Sequence, residues 1–391
     1  MPVPRPPSAL IAGSGIVGAA VAYFLAQRGV SVQVVDAEAP AAQASGSADG
    51  AVSVASKRPG PLMTAALAGA ELYRQLSADG LFADLYKTRS TYIVATSDAE
   101  CEVLTAHSAA LSWAGVRVRE LTGGGLRTEL PVLSPATRMA IEVHDEGHAI
   151  GYRVVHRLLT ASGVEVRRGT AVERLIIDPG GRRVVGVQTS RGPLHADVVI
   201  LATGNGTADL LGLRDILVPR KGQLLITERA PSLNAALPGA LMSGRYLLSK
   251  GSHTGGASTP SRGIGLVIDP LRTGQFLIGG TREDHADKRT NDLDAVSRIL
   301  SDALVLLPAL ADIRLLRTFA GARTAVADGL PLVGRLPGLD NAFIATGFEG
   351  DGICLGPIIG KAVGQLVKGE TPDIDLSAFD PARFSACRVP A

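Results

Sequence analysis

Gly13, Gly15 and Gly18 stand in the spacing G-x-G-x-x-G, and Asp36 follows 23 positions after the first of them. Those residue types at that spacing suit the holding of a dinucleotide. Gly13 permits a tight turn, Gly15 lets backbone approach a pyrophosphate, and Gly18 lets a helix pack closely on its strand. A carboxylate at Asp36 can accept hydrogen bonds from a ribose and would repel a 2′-phosphate, which disfavours NADP. The triplet alone does not separate FAD from NAD, and a structural turn without ligand is the bland alternative. The contacts expected here are Gly13, Ser14, Gly15, Ile16, Val17, Gly18, Asp36 and Ala37.

The triplet carries this meaning only between a strand and a helix, and the neighbouring residues supply both. Ser8–Ala12 ends an apolar run, and Val17, Val21, Phe24 and Leu25 recur at helical spacing before Gly29. Ser31–Val35 is then a short β-rich run ending at the acid. The small, polar stretch Pro40–Gly50 reads as the loop leaving that strand, near the strand ends where open α/β sheets bind ligands. Ser45, Gly46, Ser47, Gly50 and Ala51 are its candidate cofactor contacts, with a solvated turn as the plain reading. Val198–Thr203 is continuously apolar, as a buried parallel strand is, and ends in Ala202, Thr203 and Gly204, where backbone can pass the phosphates.

Elsewhere the pattern predicts helices over 61–76, 100–113, 152–160 and 292–307, and strands over 91–96, 163–168, 171–177 and 184–189. Leu121–Pro131, with three consecutive glycines, reads as a loop. His144-Asp145-Glu146-Gly147-His148 reads as a turn between strands; its spacing is not that of a helical zinc site. From Pro219 to Arg323 the pattern is antiparallel, with a loop at His253–Arg262 and a return toward the first domain at Arg314–Phe319. Phe343–Thr346 is a short strand, and Pro357 fits the first turn of a final helix. The fold expected is α/β: a discontinuous Rossmann-like domain (8–80, 150–215 and 325–375) with an inserted antiparallel, α+β second domain (81–149 and 216–324).

A chain of 391 residues holds about two domains. A net charge of +2 gives no electrostatic case for nucleic acid. Cys101, Cys354 and Cys387 have neither metal nor disulfide-framework spacing, and no apolar run is long enough for a membrane span. A cytoplasmic protein is expected, and peripheral membrane attachment is compatible with the sequence.

Taken together, GSGIVG with Asp36, QASGSADG, AVERL, VVILATG, PRKGQ, ADGLPLVG and GFEGDGICLGPIIGK resemble the FAD-dependent D-amino-acid oxidase family. Its members include glycine oxidase, sarcosine oxidase and D-amino-acid dehydrogenases, and the resemblance spans nearly the whole chain. The last two segments look most like the catalytic flavin subunit of heteromeric members such as D-hydroxyproline dehydrogenase and hydrogen cyanide synthase. The resemblance implies noncovalent FAD, because no cysteine stands near Arg323, where covalently flavinylated relatives carry one. It implies an adenine contact at Val172 and a loop at the isoalloxazine ring formed by Gly350, Asp351, Gly352 and Ile353. That loop has its own physical rationale, since amides at a helix start favour the negative charge of a reduced flavin.

The resemblance further implies that Arg323, in GARTAVADGLP, clamps a substrate carboxylate, although Thr324 replaces a proline common in relatives. Tyr246 closes the other side of the pocket and Glu349 receives the amine in this reading. Gly350 stands close to where glycine oxidases place a second arginine, which argues against glycine as substrate. The expected reaction is oxidation of the C–N bond of an amino or imino acid by hydride transfer to flavin. The rival readings are a partner-dependent flavoprotein subunit and an NAD-dependent dehydrogenase.

Overall fold

The computed structural model describes residues 7–251 and 263–387. The loop expected at His253–Arg262 lies outside the described residues. Ser8–Ala12 is buried at every position and forms a central strand of a six-stranded sheet. It pairs in parallel with Ser31–Val35 on one side and Val198–Leu201 on the other. Val166–Arg167 continues the sheet outward, and Ala342–Thr346 and Leu332–Arg335 complete it on the other side. The front, the middle and the tail of the sequence therefore share one sheet. A small antiparallel sheet of Val172–Ile177, Val184–Thr189 and Gly192–His195 lies beside it.

The second large sheet is mainly antiparallel. Leu315–Val326 is its edge strand, paired with Leu217–Thr227, followed by Phe276–Arg282, Gly263–Pro270 and Ala240–Ser243. Tyr86–Ala95 and Met139–Ala149 extend it on the far side. The run 314–319 thus stays with this sheet instead of returning to the first one.

The front helix, Ile16–Ala26, and the tail helix, Gly352–Val367, pack against each other through glycines. Gly356 sits on Ile16, Gly360 on Ala20 and Gly364 on Phe24, so the residue numbers rise together and the helices run parallel. A Cβ on Gly360 would stand 2.4 Å from the Ala20 Cβ, which shows how close the approach is. Their N-termini consequently lie at the same end of the pair.

Three local expectations change. Pro357 is the sixth residue of the tail helix, which begins at Gly352. Residues 123–129 form a short helix despite their glycines. Tertiary ties account for it: Leu126 is buried, and Arg127 donates to the carbonyls of Ser134, Pro135 and Thr137. The stretch 144–148 is not a turn but part of strand Met139–Ala149, bent where Asp145 takes φ 59° and the register shifts. Glu146 and His148 face inward, while Asp145 is exposed and pairs with Arg117. Glu146 accepts from the amides of Val54 (2.6 Å) and Ala55 (2.8 Å) and from the Ser53 hydroxyl, and His148 Nε2 meets the Asp49 carbonyl at 2.8 Å.

Candidate active site

One cavity of about 770 Å³ lies between the two large sheets. The glycine turn opens into it. Gly13 has φ 98°, and a Cβ there would meet the Ala202 carbonyl oxygen at 2.3 Å, so only glycine fits between the two strand ends. Asp36 Oδ2 accepts from the Ser14 amide and hydroxyl, both at 2.7 Å, and Oδ1 accepts from the Glu38 amide at 2.8 Å. The carboxylate thereby fastens the turn to the end of the second strand and still borders the cavity. Ser45 Oγ accepts from the Ile16 amide at 3.0 Å, joining the 40–50 loop to the start of the front helix.

Of the residues expected from the sequence, the cavity is lined by Gly13, Gly15, Ile16, Val17, Asp36, Ala37, Ser45, Ser47 and Ala51. Val172, Ala202, Thr203, Gly204, Tyr246, Arg323, Glu349, Gly350, Asp351, Gly352 and Ile353 line it as well. Ser14, Gly18, Gly46 and Gly50 do not. Ser14 is buried behind the turn on Asp36, and Gly18 packs on the Gly13 carbonyl. Gly46 packs on Ala41, and Gly50 lies against His148 and Ala149.

The second sheet covers the cavity with alternate, mostly small residues. Gly222 and Leu224, Gly265 and Val267, Gly279 and Thr281, Ala240 and Met242 all face it. Small side chains at period two leave room above a flat ligand, and the aliphatic ones exclude water from it.

Charged groups stand around this shelf. Arg323 Nη2 donates to the carbonyls of Thr281 (2.7 Å) and Lys221 (3.3 Å), and its Nε to that of Arg220 (3.4 Å). Three carbonyls thus fix the guanidinium, while its Nη1 faces Gly350, where a Cβ would be 3.7 Å away. Burial pulls the Arg323 pKa down, and Glu349 opposes that shift. Glu349 pairs with Arg282 and, at 3.2 Å, with Arg220. Burial would raise its pKa, but Arg282, Arg220 and Arg323 outweigh burial and hold the carboxyl low. Glu349 is therefore already occupied by guanidiniums. Tyr246 borders the same corner, its ring 6.0 Å from the Arg282 guanidinium carbon.

Several lining residues were not read from the sequence. Lys57 Nζ donates to Asp351 (2.7 Å) and the Ser53 carbonyl (2.7 Å), tying the front loop to the turn before the tail helix. Arg89 and Asp269 form a buried ion pair in the cavity wall, and Asp49 lies in the same wall. Alternation along 263–270 would have set Asp269 on one face with Gly265 and Val267. Nothing local pairs it with Arg89, 180 positions away. A second cleft of about 780 Å³, bordered by Arg167, Arg168 and Arg191, adjoins at Thr170 and holds no candidate catalytic residue.

The fit to a flavin dinucleotide rests on this geometry. A glycine cradle that a Cβ would fill faces the cavity at one helix start. The tail helix begins at the same cavity, and its N-cap residue Asp351 makes no side-chain cap. Two parallel helices aim their amide ends, and the positive ends of their dipoles, at one space. Residues 8–366 match the family model for FAD dependent oxidoreductases. The chain belongs to that family. It is an FAD-dependent oxidoreductase, which sets aside the NAD reading.

This flavoprotein is 28% identical over 390 residues to a glycine oxidase of Pseudomonas aeruginosa, covering 95% of this chain and 98% of the relative. It is 29% identical over 425 residues to the hydrogen cyanide synthase subunit HcnC of the same organism, covering 96% and 95%. The solved glycine oxidase of Bacillus cereus superposes with a TM-score of 0.82 at 27% identity, covering 93% of this chain and 95% of that one. No helix among the described residues is long and apolar enough to cross a membrane.

Proposed function

We propose that the protein oxidises the C–N bond of an amino or imino acid, such as a D-amino acid, D-hydroxyproline or a similar secondary amine. The observation that carries this is the convergence of the glycine turn, the 350–353 turn and Arg323 on one cavity. When bound, FAD supplies a two-electron acceptor for the hydride. The chain's residues bind and orient. Gly13, Gly15 and the start of the front helix hold the pyrophosphate, Asp36 the ribose, and Val172 the adenine. Ser45, Ser47, Ala51 and Gly350–Ile353 surround the ring, held without a covalent bond. Residues 8–80, 150–215 and 325–375 serve as the cofactor-binding part, and 81–149 and 216–324 as the substrate-binding part.

Arg323 meets the substrate carboxylate with its Nη1 side, and its three carbonyl contacts pre-organise it for that task. Tyr246 closes the pocket beside it. Glu349 acts by keeping Arg282 and Arg220 in place, a role its two ion pairs support better than receipt of an amine. Gly350 brings no second arginine to the pocket, which argues against glycine as the substrate. Free cysteines at 101, 354 and 387 are in keeping with a cytoplasmic location. The likeness to HcnC, a subunit by name, favours a partner-dependent dehydrogenase as the second reading.

The test is anaerobic bleaching of the bound flavin by a panel of D- and L-amino acids, sarcosine and cyclic imino acids. Reduction by one class identifies the substrate. A flavin that no member of the panel reduces would remove the proposal.

A further inference from the structure

Asp49 lies on the loop between the turn Ala44–Gly46 and the strand Ala51–Val52, and it is fastened at both ends. Its Oδ1 accepts from the Ala51 amide at 3.1 Å, and its carbonyl meets His148 Nε2 at 2.8 Å. The edge strand carrying Arg323 packs directly on this loop. A Cβ on Gly321, two residues before Arg323, would stand 2.5 Å from the Ser47 Cβ. Asp49 and Arg323 therefore line neighbouring parts of one cavity wall.

The other carboxylates of that wall are already engaged. Asp269 pairs with Arg89, Glu349 with Arg282 and Arg220, and Asp351 with Lys57. Asp49 makes no ion pair among the described residues, and of its two carboxylate oxygens only Oδ1 has a hydrogen-bond partner there, while the residue itself lines the cavity. With the other charges paired off, Arg323 and Asp49 remain as one cation and one anion in the lining of one cavity, each close enough for its charge to act on the other. That pattern complements an α-amino acid zwitterion.

Resting on the proposed amine oxidation, we propose that Asp49 Oδ2 takes the proton from the substrate ammonium while Arg323 holds the carboxylate. The transfer converts the ammonium and the Asp49 carboxylate into a neutral amine and a carboxylic acid. The nitrogen lone pair so freed forms the C=N bond as the α-carbon hydrogen leaves with its electron pair for the bound FAD, the oxidant. One proton and one hydride are removed, and the product is the iminium. Secondary amines fit the same step, because their ammonium also carries a proton to give. The surroundings make Asp49 a stronger base than an ordinary carboxylate. Burial raises the Asp49 pKa first and the Asp269 charge adds to it, against the Ala51 amide, His148 and Arg323. Arg89, from the next strands, is turned to Asp269.

The test compares wild type with Asp49→Asn, which keeps the shape and removes the base. Two readouts are taken: calorimetric binding of propionate, a carboxylate without an amine, and the pH profile of anaerobic flavin reduction by the best panel substrate. Expected in Asp49→Asn are unchanged FAD content and propionate affinity within about twofold. Flavin reduction at pH 7 should be slower by about 100-fold, the low end for general-base loss, and recover as pH approaches the amine's own pKa. Arg323→Lys should instead lose propionate binding. A wild-type rate and profile in Asp49→Asn would overturn the assignment, while a wild-type flavin inert to every amine would overturn the amine reading itself. If Asp49→Asn fails to hold FAD, Asp49→Glu decides: a retained acid limb supports the proposal, and its loss overturns it.

Discussion

The Tyr73 hydroxyl donates to the carbonyl oxygen of Ile353 at 2.8 Å, across 280 positions of sequence. Ile353 lies four residues before Pro357, so its carbonyl would ordinarily be bonded by the amide that proline lacks. The fully buried Tyr73, on helix Pro61–Ala78, replaces that missing donor in the first turn of the tail helix. Burial pushes its pKa well up, so it remains protonated and donating. Tyr73→Phe keeps the ring and orphans a buried carbonyl, which should cost about 1–3 kcal/mol. Denaturant unfolding should show the loss, and FAD should dissociate more readily as the turn at 350–353 loosens.

The parallel contact of the front and tail helices predicts a steric effect of similar size. Gly360→Val would force a side chain into Ala20, whose Cβ is already within reach of a Cβ at that site. Overpacking of this kind costs about 1–3 kcal/mol, and here it would also part the two helix starts at the cofactor. Thermal unfolding and flavin content measured together should both fall. Gly125→Val, on the exposed side of the short helix 123–129 with nothing within 4 Å and no left-handed φ, provides the control.

His148 gives a pH dependence with a definite sign. Burial first, and the nearby Arg89 second, lower its pKa to about 4. The unfolded chain takes up a proton near pH 6.5 and the folded one does not. Stability from this residue is therefore complete above pH 6.5, falls as the pH drops below it, and levels off below about 4. The displacement corresponds to about 3 kcal/mol between those limits. Unfolding free energies at pH 7 and pH 4.5 should differ less in His148→Gln than in wild type. Equal differences would mean that His148 is not held neutral in the folded state.

Arg323→Ala removes the proposed carboxylate partner but leaves the glycine turn and both helix starts intact. A charge-assisted hydrogen bond contributes about 1.5–3 kcal/mol, so kcat/KM should fall by roughly 10- to 100-fold. The loss should appear mainly in KM, with the flavin still bound. Unchanged kinetics would take Arg323 out of the substrate site.

The sequence alone determined what is encoded locally. The turn at Gly13, the helix after it and the acid at Asp36 follow from backbone freedom and spacing within 30 residues, and they were legible without coordinates. So was the central apolar strand at Val198, because burial on both faces leaves an unbroken hydrophobic run. The stretch 144–148 was misread for the complementary reason. A polar run looks solvated unless its partners are known, and Glu146 finds its partners at residues 53–55, more than 90 positions away. The helix start at Gly352 was hidden in the same way, because Pro357 marks a helix beginning unless a distant tyrosine supplies the missing bond.

Only the tertiary structure decided which charges cancel. Lys57 with Asp351, Arg89 with Asp269, and Glu349 with Arg282 and Arg220 are pairs set by the meeting of two sheets. Spacing along the chain carries no signal for them, because a Coulomb contact depends on distance in space. What those pairings leave, Arg323 and Asp49 in one cavity lining, is the pair to which the proposed chemistry is assigned.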